Sequence, residues 1–210
     1  MIVWIASYPK SGNTYVRSFL SAYYFSENGE FNFDLLKHIK QFPNVEFFEN
    51  PLDSVDSASE NWIAAQKKIK ENKKALFLKT HNCLGNFKGR PFTTAEYTLG
   101  GIYVVRDPRN VLTSVKNHFT FDDNQALKFI TNFNTEIKHA DSSDFRTWTL
   151  LSSWSNHYKS WIKSKNFRKL LIKYEDLEND KYSTFRDIII FVNALLNRTE
   201  RIDKKKLEKA

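Results

Sequence analysis

An apolar run containing Val3 and Ile5 spans residues 2 to 7, the pattern of a strand buried on both faces of a parallel sheet. It stops at Tyr8-Pro9. From Asn13 onward apolar residues recur at helical spacing, at Tyr15, Val16, Phe19, Leu20 and Tyr23. The pattern predicts strand, tight loop, helix. Segment 27 to 53 is irregular, broken by Pro43 and Pro51, with one short helix expected around Leu35 to Ile39. Asp53 or Ser54 can cap a helix to about Asn72 that carries Trp62 and Ile69 on one side. Ala75 to Lys79 reads as a second strand, Leu84 to Pro91 as a loop, and Leu99 to Arg106 as a third strand through Ile102, Val104 and Val105. Asp107-Pro108 opens a helix to about His118, because proline suits the first turn. Further helices are expected over Asp122 to His139, Trp148 to Ser164 and Lys181 to Leu196, with a fourth strand over Leu170 to Lys173. Strands alternating with helices predict an α/β fold: a P-loop-like three-layer α/β/α arrangement around a parallel sheet of about four to five strands. The 210 residues suit one domain spanning residues 1 to 210, and no repeat is visible.

Composition narrows the function classes. The single cysteine, Cys83, excludes an internal disulfide framework and any cysteine-based zinc cluster. The first residues lack a basic lead and form too short an apolar stretch for a signal peptide. No segment has the length a bilayer crossing needs, so a soluble, cytoplasmic chain is expected. Lys plus Arg number 32 against 24 acids, a net charge of +8 that serves solubility and also attracts anions. These basic residues are dispersed among acids, so no nucleic-acid partner is expected.

The loop Pro9-Lys10-Ser11-Gly12-Asn13-Thr14 joins a parallel strand to a helix start. Ligands of open α/β sheets bind at that end of the strands. A helix start offers orphan N–H groups and partial positive charge. Gly12 permits close backbone approach, Lys10 adds a mobile cation, and Ser11, Asn13 and Thr14 add short polar groups. Together they suit a bound phosphate or sulfate. The alternative is an ordinary strand-to-helix turn capped by Ser11 or Asn13. The G-x-x-x-x-G-K-[ST] pattern of nucleotide triphosphate loops is not met, which disfavours a nucleotide kinase.

Tyr8-Pro9-Lys10-Ser11-Gly12-Asn13-Thr14-Tyr15 resembles the 5′-phosphosulfate loop of the sulfotransferase family, Y-P-K-[SA]-G-[TN]-T-W. Val104 to Ser114 resembles its 3′-phosphate motif, R-[ND]-P-x-D-x-x-x-S, with Arg106 and Ser114 in the binding positions and Asn110 in place of the aspartate. Lys173-Tyr174-Glu175-Asp176-Leu177 resembles the family's [RK]-Y-E-[DE]-[LM] segment. The resemblance runs through stretches from residue 2 to about 177. It implies that 3′-phosphoadenosine 5′-phosphosulfate (PAPS) is the co-substrate, adenosine 3′,5′-bisphosphate (PAP) the product, and no metal takes part. Its cofactor-binding residues are then Lys10, Ser11, Gly12, Asn13, Thr14, Tyr15, Arg106, Ser114 and Tyr174. Tyr15 stands where the family has an adenine-stacking tryptophan, and its face can still stack. Read from residue chemistry alone, Arg106 could instead pair with Asp107, and the two tyrosines could be core.

Lys79-Thr80-His81 resembles the family's K-T-H segment, which makes His81 the general base of sulfuryl transfer to a hydroxyl or amine. An imidazole is suited to that work near neutral pH. Lys10 and Lys79 are the companion catalytic residues, stabilising charge on the leaving oxygen. His118 and His157 are alternatives, but Trp154, His157, Tyr158 and Trp161 share one helix face, so His157 reads as packing. The family's basic C-terminal segment, near R-K-G-x-x-G-x-W, has no counterpart here. Either the chain is a truncated piece or it is a shortened member, and without that segment weak cofactor binding and low activity are expected. A non-catalytic nucleotide-binding protein of the same fold is the competing reading. The acceptor, a small molecule or glycan, and the oligomeric state are not readable.

Overall fold

A computed structural model describes residues 1–48, 52–71, 75–140 and 146–210. Strand β1 (Ile2–Ser7) is buried at all six positions, as its apolar run predicts. Helix α1 (Asn13–Phe25) follows the loop. Two 3₁₀ turns, Phe33–His38 and Val45–Phe47, flank the two-residue strand β2 (Lys40–Gln41). Next come α2 (Val55–Glu71), β3 (Leu76–Thr80), the short pair β4 (Asn86–Phe87) and β5 (Arg90–Pro91), and β6 (Thr98–Val105). The expected helix end at Asn72 and the breaker Pro51 lie outside the described residues. Beyond β6 lie α3 (Pro108–Phe119), α4 (Asp123–Thr131), β7 (Glu136–Ala140), β8 (Arg146–Leu150) and α5 (Trp154–Lys163). The chain continues through β9 (Arg168–Lys173), α6 (Tyr174–Asn179), α7 (Lys181–Leu195) and α8 (Lys204–Lys209).

The central sheet has the order β2-β3-β1-β6-β9, and every neighbouring pair is parallel. Alternation along β1 divides the core. Val3 and Ile5 face α1 and α7, with Phe19, Phe185 and Ile189. Ile2, Trp4 and Ala6 face Trp62 of α2 and Trp161 of α5. The result is a mostly parallel sheet between helical layers. Because β1 is flanked by β3 on one side and β6 on the other, the crossovers leave in opposite directions and open a crevice at its carboxyl end.

Two elements differ from the sequence reading. The helix expected over Asp122 to His139 ends at Thr131, and the one expected from Trp148 begins at Trp154. Between them β7 and β8 form an antiparallel hairpin, with Ile137 opposite Thr149. The first helix stops because Asn132 accepts from the Asn134 N–H at 3.0 Å, an Asx turn that competes with helix. The second starts late because Ser153 is its cap, accepting from the Asn156 N–H at 3.2 Å. The fourth expected strand does end at Lys173, and Tyr174 opens α6 directly after it.

Helix α8 docks on the end of α1 remote from the loop. Leu207 is buried there, Asp203 N–H donates to the Tyr23 hydroxyl at 3.0 Å, and Lys206 Nζ donates to the Ser26 carbonyl at 2.8 Å. A 13-residue helix places this contact roughly 18 Å from Gly12. Among the described residues, no helix is long and apolar enough to cross a membrane.

Candidate active site

The loop after β1 presents backbone rather than capping side chains. Lys10 and Gly12 both have positive φ, 66° and 95°. Gly12 is the N-cap of α1 and supplies no side-chain acceptor, so the orphan N–H groups of the first turn keep their anion-binding character. Asn13 turns inward instead, donating from Nδ2 to the Ile5 carbonyl at 3.0 Å. Ser11 Oγ is buried without a hydrogen-bond partner among the described residues. Tyr8 anchors the approach, its hydroxyl donating to the Phe129 carbonyl at 3.2 Å.

Arg106, just past β6, leans on this loop. Its Nη1 donates to the Lys10 carbonyl at 3.2 Å, and its guanidinium lies 4.2 Å from the Tyr174 ring centroid. Its Nε is buried and unpartnered. A Cβ on Gly12 would meet Tyr174 Cδ2 at 2.5 Å, so glycine is what lets the tyrosine ring lie against the loop. The pairing of Arg106 with Asp107 is not made. Arg109 takes that carboxylate through Nη2 at 2.5 Å, and this pairing holds the Asp107 carboxyl down at about 2. Asp107 also caps α3 by accepting from the Arg109 N–H at 2.8 Å.

His81 follows β3 and turns back on β1. Its Nδ1 lies 2.7 Å from the Ser7 carbonyl, which can only accept. Nδ1 therefore carries a proton, which in the uncharged form of the ring puts the lone pair on Nε2. His157 supports the backbone behind it. The ring is fully buried, its Nε2 donates to the His81 carbonyl at 3.1 Å, and the Tyr103 hydroxyl donates to its Nδ1 at 2.9 Å. Burial drives the His157 pKa down to about 3, with the bond to His81 opposing. This neutral, hydrogen-bonded ring is the packing residue the helix face predicted. Lys79 is half-buried, donates to Gln41 Oε1 at 3.3 Å, and has its pKa lowered to about 8 by burial and secondarily by Arg17.

These groups share one cleft of about 580 Å³, a volume typical of small-molecule sites. Lys10, Gly12, Asn13, Thr14, Tyr15, Lys79, His81, Arg106, Ser114 and Tyr174 all line it. Of the residues singled out in the sequence, only Ser11 does not; its side chain is buried beneath the loop. Five further residues line the cleft: Pro9, His118, Phe119, Ile137 and Lys138. Ile137 and Lys138 escaped sequence reading because β7 was expected to be helix. Among the described residues no acid lines the cleft. Among the described residues no His, Cys, Asp and Glu cluster could hold a metal. The orphaned Arg106 Nε, the uncapped helix start and the ring-lined glycine fit an anionic, planar-based ligand such as a phosphorylated adenosine.

Comparison with known proteins agrees with this chemistry. The chain is 25% identical over 205 residues to amine sulfotransferase of Oryctolagus cuniculus, covering 94% of this chain and 58% of that protein. Its fold matches mouse sulfotransferase SULT7A1 complexed with PAP at a TM-score of 0.56 and 18% identity, covering 100% of this chain and 64% of that one. The chain thus spans less than two thirds of the length of either protein. The sulfotransferase domain model matches residues 2–207, nearly the whole chain, and the chain belongs to that family.

Proposed function

We propose that residues 1 to 210 act as one domain that transfers a sulfuryl group from PAPS to a hydroxyl or amine on a small molecule or glycan. The carrying observation is that an uncapped helix start, Lys10, Arg106 and His81, drawn from three strand ends, face one cleft that no acid lines among the described residues. When bound, the co-substrate supplies a sulfuryl group activated as a mixed anhydride. The start of α1, Thr14 and Lys10 hold its phosphosulfate end. Arg106 and Ser114 hold the 3′-phosphate, where a guanidinium grips by two bonds. Tyr174 and Tyr15 flank the adenine. Nε2 of His81 takes the acceptor proton. Lys10 and Lys79 hold the charge gathering on the phosphate oxygen that departs.

The test is transfer of labelled sulfate to a panel of phenols, alcohols and amines, beside bisphosphate binding by calorimetry. The proposal predicts turnover by the wild type and loss of turnover with retained binding in His81→Ala. Binding without turnover in the wild type refutes catalysis and favours the nucleotide-binding reading. Stabilisation by magnesium ATP but not by the bisphosphate refutes both.

A further inference from the structure

We propose that the acceptor is itself anionic, its acid group held by Lys138 on a wall of the cleft separate from the donor residues. This rests on the sulfotransfer reading. The donor's charges are matched by Lys10, Lys79, Arg106 and the start of α1. Lys138 comes from β7, an element that carries none of those residues, and is a cation beyond that set.

The hairpin places Lys138 on the His81 side. Its base is tied to the residues after His81: the Leu150 N–H donates to Asn82 Oδ1 at 2.7 Å, and the Cys83 N–H donates to the Leu150 carbonyl at 2.8 Å. Glu136 pairs with Leu150 and Lys138 with Trp148, so Lys138 stands two positions out, roughly 7 Å along the strand. A lysine side chain spans that distance. Its Nζ lies 5.8 Å from the Trp148 ring centroid. Some exposed lysines are neutralised locally, as Lys88 is by Asp56 and Lys116 by Asp123. Lys138 makes no such ion pair among the described residues. Glu136, the nearest acid on β7, lines a different groove with Phe121 and Lys128. In the same cleft Phe119 and Ile137 offer apolar surface. The acceptor class that fits is a hydroxyl compound with an apolar body and a fixed negative charge.

The experiment compares three phenols on one scaffold: para-hydroxyphenylacetate, uncharged para-hydroxyphenylethanol and cationic tyramine. Each is titrated by calorimetry into protein saturated with PAP near neutral pH. The acid binds about fivefold tighter than the alcohol, the upper end for an ion pair on an accessible side chain. Lys138→Met erases that preference, Lys138→Glu shifts it toward tyramine, and neither changes PAP affinity. Equal binding of the three phenols by the wild type, or tightest binding of tyramine, overturns the proposal without any variant. A severalfold loss of PAP affinity in Lys138→Met also overturns it, by placing the lysine on the donor. Failure of the wild type to take up PAP sinks the donor reading and this inference with it, whereas equal phenol binding with PAP bound sinks this inference alone.

Discussion

Replacing Lys79 with methionine removes an ammonium that burial, helped by Arg17, holds at a pKa of about 8 against an ordinary 10.5. That gap corresponds to roughly 3 kcal/mol by which folding disfavours the charged form, trimmed to roughly 2 kcal/mol by partial solvent access. The folded pKa lies below the unfolded one, so unfolding binds a proton between pH 8 and 10.5 and stability rises with pH across that window. Lys79→Met removes that rise and is more stable than the wild type below pH 8 in urea melts. Ligand binding reads the same group from the other side. The negative charge of bound PAP pulls the lysine pKa back up, so binding takes up about half a proton at pH 8 and about 0.1 one pH unit lower. Calorimetry in two buffers of different ionisation heat measures the uptake directly. Phosphate itself titrates near pH 6 and contributes little there. An uptake near zero at pH 8, or the same uptake in Lys79→Met, refutes the placement of Lys79 beside the bound anion.

Gly12→Ala combines a φ of 95° with a contact of 2.5 Å to the Tyr174 ring. It is expected to cost roughly 1–3 kcal/mol in urea melts and to weaken PAP binding; unchanged values for both contradict the cradle. His157→Phe orphans the Tyr103 hydroxyl and the His81 carbonyl, at roughly 2–4 kcal/mol in total. His157 has its folded pKa near 3 against 6.5, so wild-type stability falls as pH drops from 6.5 toward 3; the part of that fall due to this ring vanishes in the variant. Identical acid profiles argue against a neutral buried ring. Asp122→Ala removes the side-chain acceptor of the Gln125 N–H in the capping box at the start of α4, leaving the bond from the Asp122 N–H to Gln125 Oε1, and lowers stability by about 1 kcal/mol; no change in the melt dismisses the cap.

The strand-loop-helix unit was legible because its signals are local: six consecutive buried positions, then a helical period, with one glycine between. The same holds for β6 and α3, where Asp107-Pro108 marks the boundary and Asp107 does cap the helix. The second wall of the cleft was not legible. β7 is five residues of mixed polarity whose pairing with β8 depends on a partner across a connection, and no local period reports that. Its clues were the Asn132-Phe133-Asn134 turn and the Ser153 cap, which a helical reading of the flanks overrode. β2, with two residues, is set entirely by the neighbouring strand β3. The consequence fell on the site: ten of the residues singled out in the sequence line the cleft, while Lys138 and Ile137, which line it with them, were found only in three dimensions.

The central claim is that the loop at Gly12 and the guanidinium of Arg106, which touch through the Lys10 carbonyl at 3.2 Å, hold one doubly phosphorylated nucleoside. Titration of adenosine 3′,5′-bisphosphate into the wild type, Lys10→Ala and Arg106→Ala tests it most directly. The account predicts one molecule bound per chain and a loss of roughly tenfold or more in each variant, as befits a charge-assisted bond. No binding by the wild type, or equal affinity in all three proteins, contradicts it.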